Sequence, residues 1–280
     1  MERMKLEFQD KVAVLKFNHP EVMNAVGGQM LADFTEAVYE VRRSGTATRA
    51  LLLTGEGRGF CAGANLQDEG RADRKTGAGD GLRSGYHPLL FMLRDLEMPI
   101  VTAVNGAAAG VGMSFAVLGD IVCASRNAFF LQAFARIGLI PDGGSTFMLP
   151  RMVGWGRAVE LSMLAERLPA EKAYEWGLVN RLYDDNDALM SGAMEIANKL
   201  ANGPRSSPAR WQPRHRRRPP VWKPKPRKPS FTSTSPSTRA AQPIAATSEP
   251  ASGSLNNWHQ ITSWFSVGRT QRATWSSLPC

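Results

Sequence analysis

The chain has 280 residues, 43% of them hydrophobic, and a formal charge of +9, which is enough to bury a sizeable core in one or two domains. Residues 205–280 carry 13 Lys+Arg against one acid, Glu249, whereas residues 1–204 carry 21 against 24, so the basic balance belongs to the tail. Three widely spaced cysteines, Cys61, Cys123 and Cys280, indicate neither a disulfide framework nor a zinc site, which leaves a reducing compartment as the default expectation.

Residues 1–10 mix charge with apolar side chains and show no signal-peptide core, and the longest apolar stretch, 107–119, is too short and glycine-rich to span a bilayer. A non-membrane, cytoplasmic protein is expected. Residues 12–17 form a β-branched and aromatic run ending at Asn18-His19-Pro20, hence a strand and a turn. Met30, Leu31, Phe34, Val38 and Val41 fall at helical spacing before Gly45, predicting an amphipathic helix. Residues 50–53 are continuously apolar and followed by a Gly-rich turn, as in a buried parallel strand, and 99–104 and 121–124 repeat that character. Glycines and charges dominate 70–85, predicting a mobile loop. Helices are predicted at 158–164, at 170–176 closed by Gly177, and at 188–201 after the cap-rich Asp184-Asp185-Asn186-Asp187. Strands alternating with helices imply right-handed β-α units and an α/β fold.

From residue 205 the composition changes. Eleven of the 18 prolines lie there, with Ser/Thr/Arg/Lys stretches and no sustained period, so this low-complexity basic tail is expected to be disordered. Arg/Pro/Ser-rich, acid-poor sequence is also what a GC-rich gene yields when read out of frame, so a frameshifted 3′ end is one origin for it. Nucleic-acid binding through the tail, with Trp211 and Trp222 stacking on bases, ranks below solvated disorder.

Three segments carry chemistry. Residues 60–66 (FCAGANL) and 105–114 (NGAAAGVGMS) each place small, amide-rich backbone between a strand and a helix, and two such turns can aim N–H groups at one developing oxyanion. Residues 138–144 (GLIPDGG) add a single carboxylate, Asp142, between proline and glycine, from which a base can reach into a pocket. Together they suggest chemistry on an enolisable carbonyl. Gly110-Val111-Gly112 is weak evidence for a dinucleotide site, because a third glycine and a following acidic partner are missing. The four histidines, His19, His87, His215 and His259, show no metal-ligand spacing.

With Asn18-His19-Pro20-Glu21-Val22-Met23-Asn24-Ala25, the FCAGANL segment, VNGAAAGVGMS followed by Asp120, and GLIPDGGSTFMLPR, the chain resembles the enoyl-CoA hydratase/isomerase, or crotonase, family over residues 5–204. The resemblance implies a ClpP/crotonase-like β-β-α superhelix core, residues 1–204 as an acyl-CoA domain without the usual C-terminal helices, and 205–280 as a separate tail. It implies a coenzyme A thioester as substrate, no permanently bound cofactor or metal, and a homotrimer or hexamer where those helices are present. By resemblance, the amides of Ala62 and Val111 would hold the thioester oxygen. Val22, Asn24 and Ala25 would follow the adenine and pantetheine path, with Ala64, Asn65 and Leu66 near the thioester and Ala107, Gly110, Phe134 and Pro141 as further substrate-binding positions.

The positions at which hydratases of this family carry two glutamates are Ser114 and Phe134 here, neither of which can ionise usefully. Asp142 matches the position of the single catalytic carboxylate in several isomerases of the family. A 1,3-proton shift, turning a 3-enoyl-CoA into a 2-enoyl-CoA, is therefore the expected reaction, with a hydratase and a non-catalytic acyl-CoA-binding protein as the alternatives. A carboxyl beside Phe134 and Phe147 would have its charged form disfavoured. Cys61 is expected to be a packed residue, Ser114 to serve packing, and Asn65 either to donate to substrate or to cap a turn.

Overall fold

The structure, a computed structural model, describes residues 1–67 and 82–204; the tail from 205 and most of the 70–85 loop lie outside the described residues. Six strands form one sheet in the order β1 (Met4–Gln9), β2 (Val12–Phe17), β3 (Ala50–Gly55), β5 (Ile100–Val104), β7 (Ile121–Ser125) and β10 (Arg181–Tyr183). All run parallel except β1, which pairs antiparallel with β2. A second sheet orders β4 (Gly59–Cys61), β6 (Ala107–Ala109), β8 (Phe129–Leu131) and β9 (Arg167–Pro169).

The helices are α1 (Gly28–Arg43), α2 (His87–Arg94), α3 (Val111–Val117), α4 (Ser145–Val153), α5 (Trp155–Leu164), α6 (Ala170–Glu175) and α7 (Asn186–Asn202). Three times the chain runs a long strand, a three-residue strand in the second sheet and then a helix: β3-β4-α2, β5-β6-α3 and β7-β8-α4. This is the β-β-α superhelix that the resemblance implied.

Strand periodicity divides the core. Side chains of a strand alternate between faces, so Val12, Val14, Ala50, Leu52, Val101, Ala103 and Cys123 meet the α7 stripe Leu189, Ala193, Ala197 and Ala201. Ala13, Leu15, Phe17, Leu51 and Leu53 face the larger core, where Phe17 stands edge-on to Phe34 at 5.3 Å and to Phe60 at 5.4 Å between ring centroids. Strands buried on both faces read as continuous apolar runs, which is why the central ones are visible in the sequence. Helix α7 starts where the acidic and amide cluster predicted, with the Asp185 carboxylate accepting the Ala188 N–H at 2.7 Å.

Several elements go beyond the sequence expectations. Strand β1 forms because Met4, Leu6 and Phe8 alternate with polar residues and Asp10, at φ +52°, closes a tight turn into β2. The predicted 70–85 loop ends early: Leu82–Tyr86 is a π-helical turn that continues into α2, where Pro88 falls in the first turn and needs no N–H partner. Helix α4 tolerates Pro150 in its interior because the segment is anchored on the core by Leu149 and Val153. No helix among the described residues is long and apolar enough to cross a membrane.

Candidate active site

Strands β4 and β6 pair in parallel, Gly59 with Ala107 and Cys61 with Ala108, so the turns that follow them lie side by side. Helix α3 begins directly on β4: a Cβ at Gly112 would overlap the Cys61 carbonyl. Gly63, at φ +101°, lies against the Ala109 carbonyl, 2.8 Å from where its Cβ would be, so only glycine permits this approach.

Most backbone amides of the two turns are paired within the fold. The Ala62 N–H donates to the Met23 carbonyl at 2.9 Å, which corrects the expectation that Ala62 supplies a donor to substrate. Val26 bridges Ala64 in parallel fashion, giving its N–H to the Gly63 carbonyl and accepting the Asn65 N–H at 2.9 Å. Both neighbours of Ala64 are thus bonded to Val26, and the Ala64 N–H faces the other way with no acceptor among the described residues. The Gly110 N–H donates to the Leu131 carbonyl, but that of Val111, the first residue of α3, has no acceptor there either, as expected for the first helical turn. The two free amides, Ala64 and Val111, each follow one of a pair of closely approaching glycines: a Cβ on Gly110 would stand 3.9 Å from the Gly63 Cα.

The third segment folds over this pair. Asp142 precedes Gly143 and Gly144, both with positive φ, and its carbonyl accepts the Ser145 N–H at 3.0 Å to start α4. A Cβ at Gly143 would stand 2.6 Å from the Ser114 Cβ and 3.6 Å from Val111 Cγ2, so the turn is seated on α3 against the Ser114 and Val111 side chains. The Asp142 carboxyl is half-buried, and its Oδ1 is buried without a hydrogen-bond partner. Burial pushes its pKa up to about 6, as the sequence led us to expect, because nothing compensates the charge. Phe134 is buried, with its ring edge 3.9 Å from the position of a Gly110 Cβ. Phe147 is 48% exposed and lies under the Arg151 guanidinium.

Other predicted positions divide into usable and unusable. The Asn24 side chain is fully buried and committed to the fold: its Oδ1 accepts the His19 N–H at 2.7 Å and its Nδ2 donates to the Glu56 and Gly59 carbonyls at 3.0 and 2.8 Å. It cannot contact substrate, which corrects that expectation. Ala107 is buried in β6, whereas Ala25 and Pro141 are half-buried and Val22 and Leu66 are exposed. Of the two roles weighed for Asn65, the structure shows capping, with Oδ1 accepting the Gln67 N–H at 3.0 Å. Burial pushes the Cys61 thiol up to about 12, so no thiolate competes with Asp142. Sequence reasoning missed Gln132 and Ser145, both fully buried and hydrogen-bonded to one another beneath the Asp142 turn; the only cue was a serine directly after Gly143-Gly144. A cavity of about 390 Å³ lined by Arg42, Thr46, Arg49 and Leu200 lies at the N-terminal edge of β3 and β5, away from the strand ends at which α/β sheets bind ligands.

Known proteins similar to this chain identify its family. The Enoyl-CoA hydratase/isomerase family profile matches residues 7–214. The chain is 42% identical to 1,2-epoxyphenylacetyl-CoA isomerase of Escherichia coli (strain K12), over 73% of this chain and 78% of that protein. It is 36% identical to 4-chlorobenzoyl coenzyme A dehalogenase-1 of Arthrobacter sp, over 72% and 73%. Among solved structures, an enoyl-CoA hydratase from Polaromonas sp. JS666 superposes with a TM-score of 0.68 at 34% identity, covering 75% of this chain and 81% of that one. In sequence and fold, the chain belongs to the enoyl-CoA hydratase/isomerase family of acyl-CoA enzymes.

Proposed function

We propose that the chain is an enoyl-CoA isomerase that moves a double bond from C3 to C2 of an acyl-CoA thioester by a 1,3-proton transfer. The thioester oxygen lies between the amides of Ala64 and Val111. The Asp142 carboxylate removes a proton from C2, the electron pair of the broken C–H bond delocalises into the thioester carbonyl, and the two amides hold the resulting dienolate oxygen. As the oxyanion re-forms the thioester carbonyl, the C1–C2 π electrons of the dienolate become the C2–C3 double bond, and the C3–C4 π electrons take the proton at C4 from the Asp142 carboxyl. Proton and charge balance without a cofactor, and one group acts first as base and then as acid.

The observation that carries this reading is the isolation of Asp142. Its buried oxygen has no partner and its pKa rises to about 6, close to the value at which a group both takes and returns a proton at neutral pH. Ser114 and Phe134, at the two positions where hydratases of the family carry glutamates, supply no carboxylate to activate water, which disfavours hydration. Loss of one oxyanion donor typically costs roughly 3–4 kcal/mol of barrier. Residues 1–204, ending just after α7, form the acyl-CoA unit in this reading, and 205–280 form a separate tail. The Ile140, Trp155 and Met163 side chains, each more than 70% exposed, offer apolar surface for assembly with further copies.

Incubating 3-hexenoyl-CoA and 2-hexenoyl-CoA separately tests the assignment. Rising absorbance of the conjugated thioester from the first substrate supports it. Loss of that absorbance from the second, with no change in the first, identifies a hydratase. No change in either, with acyl-CoA still bound, identifies a binding protein.

A further inference from the structure

The Asp142 turn rests on a buried polar chain that the proton shuttle itself does not use. Ser114 Oγ lies 3.1 Å from the Asp142 carbonyl oxygen and 2.7 Å from Ser145 Oγ, and Gln132 Nε2 lies 3.2 Å from Ser145 Oγ. Ser114, Gln132 and Ser145 are all fully buried. Proton counting gives the chain one direction. A carbonyl only accepts, so the Ser114 hydroxyl donates to Asp142; the Ser145 hydroxyl then donates to Ser114, and the Ser145 oxygen accepts from the Gln132 amide. Hydrogen bonds aligned in this way strengthen one another in a low-dielectric interior.

The chain ends on the main-chain carbonyl of Asp142 and not on its carboxyl. Donors given to a carboxylate stabilise the anion and hold its pKa down. Donors given to the backbone of the same residue fix its position and leave the side-chain oxygen unpartnered, which is the state of Oδ1. Ser114 also sits on α3, one turn beyond Val111, with Gly143 seated against its Cβ, so a single side chain links the helix that offers the amide to the turn that offers the carboxyl.

We propose that Ser114 is a positioning residue: together with Ser145 and Gln132 it ties the Asp142 turn to helix α3, setting the separation between the carboxyl and the Val111 amide while giving the carboxylate no hydrogen bond. This deepens the isomerase reading and rests on it. Where hydratases of the family have a glutamate that acts on water, this chain has a hydroxyl that holds another residue's backbone.

The test uses the full-length protein with 3-hexenoyl-CoA and the variants Ser114→Ala, Ser145→Ala and Asp142→Asn. Misplacement of a reacting group by a fraction of an ångström lowers kcat steeply, so Ser114→Ala is expected to lose about tenfold in kcat with KM little changed. Its kcat/KM profile should inflect at lower pH than the wild type, because a loosened turn lets water reach Oδ1 and stabilise the anion. Ser145→Ala should move both quantities in the same direction but less, and it decides the matter if Ser114→Ala does not fold. Wild-type kcat and inflection in both serine variants would overturn the proposal. So would a fall in kcat with an unmoved inflection, the signature of a residue that only packs. Asp142→Asn separates the levels: if it is inactive while the serine variants behave as wild type, only the positioning role fails, whereas if it still turns over, the isomerase reading itself fails.

Discussion

Asp142 should lower the stability of the protein that uses it, and the size of that effect can be worked from its surroundings. Its pKa is pushed from the ordinary aspartate value of about 4 up to about 6 by burial. Each unit is worth about 1.4 kcal/mol, so at neutral pH the buried carboxylate costs the fold up to about 3 kcal/mol. Asp142 is only half-buried, and solvent screening reduces this to about 1–2 kcal/mol. The sign follows from proton counting: between the two values the folded state binds more protons than the unfolded one, so stability present at low pH is lost as pH rises through about 6. Asparagine has the same shape and never ionises. Asp142→Asn should therefore match the wild type at pH 4 and exceed it at pH 8, by about 4 °C in Tm for a unit of this size. Thermal melts followed by circular dichroism at both pH values measure this. An unchanged or lower Tm at pH 8 would refute the argument that Asp142 is held desolvated and uncompensated.

Further expectations follow from the same geometry. The kcat/KM of the wild type should rise with pH and level off above about 6, because Asp142 must be ionised in the free enzyme to act as base; a rate profile flat between pH 5 and 7 would argue against it. Gly63→Ala places a methyl group against the Ala109 carbonyl at a positive φ, which should separate the two amides and lower kcat about 100-fold in steady-state assays. Gly112→Ala forces α3 off the Cys61 carbonyl and should destabilise the fold by about 3 kcal/mol, read as a lower midpoint in urea titration. A chain ending at Pro204 should keep the cooperative unfolding transition of the full-length protein, since α7 completes the sheet face on which it packs; loss of that transition would show that residues beyond 204 contribute to the core.

What was legible in the sequence divides along physical lines. The central strands β3, β5 and β7 could be read because burial on both faces makes them uniformly apolar, and α7 because its stripe and its caps agree. Strand β1 was equally regular, with apolar residues at every second position, but its charged outer face masked it. The three segments of the site were identified from glycine and small-residue content, and the structure brings them together. Which amide of the first segment is free could not be read, because it depends on pairing with Val26, 38 residues earlier in the chain. That pairing, together with the bond from Ala62 to Met23, moves the donor from Ala62 to Ala64. Asn24 misled for a similar reason: its left-handed backbone, at φ +58°, turns the amide inward to hold two carbonyls. The Gln132-Ser145-Ser114 chain is a matter of tertiary contact alone, and neither composition nor spacing marks it.

A crystal structure with a saturated acyl-CoA bound tests the central claim most directly. The account predicts the thioester oxygen at about 2.7–3.1 Å from both the Ala64 and the Val111 nitrogens, with the Asp142 carboxyl over the chain at about 3–3.5 Å from C2. A thioester oxygen bonded elsewhere, or an Asp142 carboxyl turned to bulk water with substrate in place, would contradict it.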